Sequence, residues 1–196
     1  MLAVSTSPII ARYLNNVPAV AISFWRMGFG ALILWGISLV KKQDALKNGA
    51  LKRTLIAGIL LGIHFALFFG AIKLTTIANA TFLGTLAPLF TFFIEKYMLK
   101  RNHAPGLLFG LGFAIFGAII IIGNRFDFSS SYTIGNLLAV ACSVFLGMAF
   151  IISENVRKEV DTISYSRTLF SSAAVTLFVI SIFTGSALTG FSSGEF

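Results

Sequence analysis

At 196 residues, 57% hydrophobic and only 11% charged, the chain departs from a soluble domain, which is about 45–50% apolar and about 25% charged. Its mean hydropathy of +0.90 and its recurrent charge-free runs of about 20 residues are those of an integral membrane protein. The apolar runs continue to the end of the sequence, which excludes a lone signal peptide as their source. A net charge of +8 could suit nucleic acid, but the placement of the charges points elsewhere. Lys41, Lys42, Lys47, Lys52, Arg53, Lys96, Lys100, Arg101, Arg157 and Lys158 fall in alternate loops, and the other loops hold only Arg12, Lys73 and Arg125. This is the positive-inside pattern, with the basic loops facing the cytoplasm.

Residues 1–14 are apolar but cover only about 21 Å as a helix, so they read as the second half of a helix. Pro18 suits the first turn of the next helix, which runs to about Val40 and carries Arg26. After a basic loop, helices are predicted at about 54–72, 75–94, 105–123, 133–153 and 163–185, with Pro105 again at a start. The expected count is six complete spans and one partial span. Cys142 lies within an apolar run, which argues against an intrachain disulfide or a cysteine-rich metal site and for a small packing residue. Gly58/Gly62 and Gly106/Gly110 have the small-xxx-small spacing that lets helix backbones approach.

Ile22-Ser23-Phe24-Trp25-Arg26 matches Ile163-Ser164-Tyr165-Ser166-Arg167 at an offset of 141 residues. Five predicted helices fit within that offset. A repeat of five helices must enter the membrane in the opposite sense, as in the inverted halves of many secondary transporters. The offset maps Thr54 onto Glu195, one residue before the sequence ends. The expectation is therefore a fragment of a ten-helix protein, with about three further helices beyond this sequence. The expected class is an all-α membrane protein, a polytopic helical bundle of inverted five-helix repeats. Residues 1–127 form the first repeat and 128–196 the start of an incomplete second one.

Four sequence features carry a resemblance. They are the spacing from Pro18 to Arg26, the stretch from Gly62-Ile63-His64 through Phe68-Phe69-Gly70-Ala71, the run Thr75-Thr76-Ile77-Ala78-Asn79-Ala80 leading to Leu86-Ala87-Pro88-Leu89-Phe90 and Glu95, and the glycine-rich segment from Gly106 to Gly123. In these the chain resembles the EamA-type, ten-helix members of the drug/metabolite transporter superfamily. The resemblance implies a transporter fold far more than it implies a substrate.

Polar residues at mid-depth are the candidates for function. Thr81, Thr85, Pro88 and Phe92 are spaced four, three and four apart, which puts them on one face of a continuous helix. Pro88 cannot bond to the carbonyl of Gly84, and a freed carbonyl at membrane depth needs protein or a water-filled cavity around it. One reading is a substrate cavity between the predicted third, fourth and sixth helices, lined by His64, Phe68, Thr81, Thr85, Pro88 and Ser143. The other is that each hydroxyl bonds its own helix and Pro88 only kinks. His64 could carry a proton or contact substrate, or bond a backbone carbonyl at a helix crossing. Arg26 and Arg167, related by the repeat, read as structural residues that snorkel or bond helix ends, with anion binding as the alternative. Glu95 reads as an interfacial partner of basic loop residues.

No paired carboxylates, metal-ligand cluster or nucleophile with a base occurs in the apolar runs, so no catalytic residue, metal or cofactor is expected and the chain reads as a non-enzyme. The expected function is a secondary transporter of small organic metabolites, with a non-transporting membrane subunit or inactive truncated product as the alternative. The expected partners are a small-molecule metabolite and the lipid bilayer, with no nucleic acid. A homodimer stays open.

Overall fold

In a bilayer core the backbone must satisfy its own hydrogen bonds, and for a single apolar run that leaves the helix. The computed structural model describes residues 2–14, 16–41, 43, 45–122 and 130–191. These form α1 (Leu2–Tyr13), α2 (Ala19–Val40), α3 (Asn48–Leu74), α4 (Ile77–Gly84), α5 (Ala87–Phe93), a π-helical turn (Ile94–Met98), α6 (Pro105–Ile122), α7 (Ser130–Arg157) and α8 (Thr162–Thr184). No strand occurs among the described residues. Five stretches are long and apolar enough to cross a membrane: Ala19–Val40, Asn48–Leu74, Ile77–Met98, Tyr132–Arg157 and Thr162–Thr184. The 18 residues of α6 fall at the short end of the spanning range. The expected repeat boundary at 127/128 and the residues Lys42, Arg125 and Glu195 lie outside the described residues.

Local chemistry sets the helix ends. Pro18 directly precedes α2 with an extended ψ of 140°. The Thr76 hydroxyl accepts from the Asn79 N–H at the start of α4, and the Asp161 carboxylate accepts from Ile163 and Ser164 N–H at the start of α8. Both are side-chain N-caps. Gly185, in the left-handed region at φ 62°, ends α8 as glycine commonly does.

Three boundaries differ from expectation. α3 begins at Asn48, six residues before Thr54, because Lys52 and Arg53 extend the helix past the apolar run. Arg53 then reaches Glu159, with Nη2 2.5 Å from Oε2. α7 extends past 133–153 at both ends. Its last turn carries Glu154, whose Oε1 accepts from Lys158 at 2.7 Å, an i,i+4 pair that favours helix. The predicted helix at 75–94 is broken after Gly84 and resumes at Ala87.

α3 is the central helix. It packs against α7 on one side and α2 and α8 on another, with small residues at the crossings. A Cβ added to Gly58 would lie 2.7 Å from the Leu169 carbonyl oxygen, and one added to Gly62 would lie 2.9 Å from that of Ala173. Both glycines thus serve close approach to α8. Gly106 and Gly110 meet nothing within 4 Å, so the same spacing on α6 brings no described helix against it. α2 and α8 run antiparallel: Trp25 Nε1–H donates to the Leu188 carbonyl at 2.8 Å, Gly30 abuts Phe170, and Arg167 donates to Ser38 Oγ.

Candidate functional site

His64 sits in the α3–α7 crossing, 7% exposed. Its Nδ1–H donates to the Cys142 carbonyl at 2.9 Å. A carbonyl can only accept, so the proton is on Nδ1, and Nε2 has no hydrogen bond to a described residue. The ring stacks on Phe68 at 6.0 Å between centroids and meets Phe65 edge-on at 4.9 Å. Phe68 in turn covers Gly84, the last residue of α4; a Cβ there would stand 3.3 Å from the Phe68 ring and 3.5 Å from Cys142 Sγ. α3, the α4/α5 break and α7 therefore converge at one point, where His64, Phe68, Gly84 and Cys142 pack together.

The break follows from Pro88. Proline has no N–H to give the Gly84 carbonyl. α4 closes with Thr85 N–H bonded to the Thr81 carbonyl at 2.9 Å and Leu86 N–H to that of Leu83 at 3.3 Å. α5 then restarts with Pro88 in its first turn, where a missing donor costs nothing. Thr81, Thr85 and Pro88 are exposed on both sides of the interruption. Phe92, expected on the same stripe and one turn beyond Pro88 on α5, is 5% exposed, with the His103 ring against it at 5.0 Å between centroids.

The hydroxyls expected to line a cavity bond their own helices: Thr85 Oγ1 to the Phe82 carbonyl at 2.7 Å, and Ser143 Oγ to that of Val140 at 2.7 Å. Ser143 is fully buried. Pro88 lines a cavity of about 250 Å³ with Thr91, Glu95, Phe150, Ile151 and Glu154, between α5 and α7 toward their basic ends. His64, Phe68, Thr81, Thr85 and Ser143 do not line it.

Arg26 is half-buried, its guanidinium 4.9 Å from the Phe65 ring centroid and 5.9 Å from that of Phe69. Arg167 is 8% exposed, lies 4.7 Å over the Trp35 ring and bonds Ser38. Glu95 accepts from Arg101 at 2.7 Å and faces His103 Nε2 at 3.4 Å. Arg101 also reaches Glu154 on α7 at 2.8 Å, so one guanidinium joins the end of α5 to the end of α7. Glu154 foremost, with Glu95, holds the Arg101 guanidinium above its ordinary range.

Sequence reasoning missed that bridge, although the Glu154–Lys158 spacing signals that the helix continues and brings Glu154 into play. It also missed the opposite end of the bundle. There Arg12 Nη1 donates to the Ile72 carbonyl at 2.6 Å and to that of Thr75 at 3.1 Å. Thr75 Oγ1 donates to Asn136 Oδ1 at 2.8 Å. Asn79 is fully buried, and its side-chain amide has no partner among the described residues. An asparagine inside an apolar run was the available signal.

These helices, with their small-residue crossings and ionic ends, define an integral, multi-pass helical membrane protein. Residues 1–123 match the EamA-like transporter family, and the chain belongs to that family of membrane transporters. It is 26% identical over 168 residues to "Uncharacterized transporter YyaM" of Bacillus subtilis (strain 168), covering 82% of this chain and 54% of that protein. It is 25% identical over 168 residues to "Solute carrier family 35 member G1" of Homo sapiens, covering 80% of this chain and 46% of that protein. The chain thus spans about half the length of the curated relatives it matches. A protein crystal structure 18% identical in sequence shares the fold at a TM-score of 0.69, over 97% of this chain and 69% of that one.

Proposed function

We propose that the chain is part of a secondary transporter that moves small organic metabolites, such as amino acids or related compounds, across the bacterial cytoplasmic membrane by alternating access, in the export direction. The observation that carries this reading is the helix broken at Thr85–Leu86 within an apolar span. Its polar and proline residues Thr81, Thr85 and Pro88 share one exposed face. Discontinuous helices are where many transporters form their solute sites, and irregular backbone at membrane depth belongs beside a cavity or protein. His64, one helix away with no hydrogen bond from Nε2 to a described residue, supplies a polar group for a solute to contact. Phe68 offers an aromatic wall for amphipathic solutes.

Proteoliposomes containing the full chain and a panel of labelled amino acids and related organic solutes test this. His64→Ala and Thr85→Ala should each lower flux by roughly tenfold, equivalent to about 1.4 kcal/mol. Wild-type flux in both variants would dismiss the site. The other reading is a structural membrane subunit, or an inactive truncated product, that does not transport by itself. A folded, reconstituted chain that moves no member of the panel would support it.

A further inference from the structure

The solute-site reading leaves the basic end of α5 unused. Lys96, Lys100, Arg101 and Asn102 line a cavity of about 410 Å³ whose apolar side is formed by Phe92 and Leu108. Arg101 is committed to Glu95 and Glu154, and Glu95 also faces His103. Lys96 Nζ stands 5.5 Å from the Phe92 ring centroid and 5.6 Å from that of Tyr97. Neither Lys96 nor Lys100 has a carboxylate partner among the described residues. Lys100 adopts a positive φ of 51°, a conformation rarely held by residues other than glycine, asparagine and aspartate. Two cations without a carboxylate partner among the described residues thus border one concavity.

A second observation lies directly beside it. Leu108 also lines an apolar groove of about 260 Å³ on α6, with Phe109, Gly112, Phe113 and Phe116. Gly112 has nothing within 4 Å of where its Cβ would be, so it forms a notch between the phenylalanines. A cationic cavity at the edge of the apolar span, sharing a wall with an apolar groove that continues along the helix, has the two-part chemistry of a phospholipid. Basic pockets between membrane helices on the cytoplasmic side are places where anionic headgroups bind.

We propose that the cavity at Lys96 and Lys100 binds the phosphate headgroup of an anionic phospholipid, with an acyl chain lying in the Leu108–Phe116 groove of α6. The proposal is independent of which solute the protein carries. The shared leucine favours lipid over free phosphate, which would use the cations and leave the groove empty.

The test is lipid retention by the full chain, extracted from phosphatidylcholine membranes containing phosphatidylglycerol and measured by native mass spectrometry. Wild-type protein should retain phosphatidylglycerol over phosphatidylcholine. The double variant K96Q/K100Q should lose that preference by roughly 10- to 30-fold, as expected for two basic contacts near the membrane surface. K41Q/K52Q, which removes the same charge from the end of α2 and the start of α3, should keep it. Gly112→Leu, which fills the notch, should lower retention with the lysines intact. Equal retention of the two lipids, or equal loss in both lysine pairs, overturns the proposal. So does displacement of phosphatidylglycerol by inorganic phosphate together with an inert Gly112→Leu, an outcome that assigns the cavity to free phosphate.

Discussion

Arg26 and Arg167 occupy matching positions in the five-residue repeat and meet different surroundings. Arg167 is buried, bonded to Ser38 and stacked over Trp35. Arg26 rests on Phe65 and Phe69 and makes no hydrogen bond to a described residue. Truncation of the two should therefore be unequal. Arg167→Ala loses a charged hydrogen bond of about 1.5–3 kcal/mol and a cation–π contact. Arg26→Ala loses mainly ring contacts of about 0.5–1 kcal/mol each. Thermal unfolding in detergent should show the larger drop for Arg167→Ala, and equal drops would refute the distinction. The sequence made both arginines visible as costly residues in apolar helices, because charge stands out against such a background. It could not separate them, since the difference lies in residues more than a hundred positions away for Arg167 and about forty for Arg26. His64 was legible for the same reason, whereas its bond to the Cys142 carbonyl leaves no mark in residue type.

At the scale of elements, proline and glycine were the readable signals, each to a different depth. Pro88 announced a disturbance, but the two-residue length of the break depended on how α4 and α5 each close their hydrogen bonds, and the burial of Phe92 depends on the His103 ring brought against it. The glycine pairs divide more sharply. Gly58/Gly62 and Gly106/Gly110 share one spacing, yet only the first pair faces a described helix. Gly58→Ala would put its Cβ 2.5 Å from Ser172 Cβ. Overpacking of about 1–3 kcal/mol should outweigh the gain of about 1 kcal/mol in helix propensity. Gly106→Ala meets open space and should be neutral or stabilising by up to about 1 kcal/mol. Unfolding midpoints of the two variants check this, and destabilisation of both alike would contradict the packing described.

For the molecule as a whole, class and span were legible because composition and charge placement constrain them directly. The centrality of α3 was not. Its apolar run is long and uniform like its neighbours, and only the small residues at its crossings, read in three dimensions, give it α7 and α8 as partners. Orientation remains checkable through the basic loops. Cysteine placed at Lys41 or Lys100 should be shielded from an impermeant maleimide in intact cells, and cysteine placed at Ser186 should react; the reverse pattern would invert the topology. Native Cys142 is fully buried, so background labelling should be low. The broken helix has a mechanical corollary. From Leu86 to Glu95 the chain forms a lever arm of roughly 13 Å, so a tilt of roughly 10° about the break would sweep Glu95 through about 2 Å. That displacement is comparable to the 2.8 Å separation of Arg101 from Glu154 on α7. A small rotation at Thr85–Leu86 would be magnified at the far end into the making or breaking of that ionic latch, with Arg101 carried along by its backbone N–H bond to the Glu95 carbonyl.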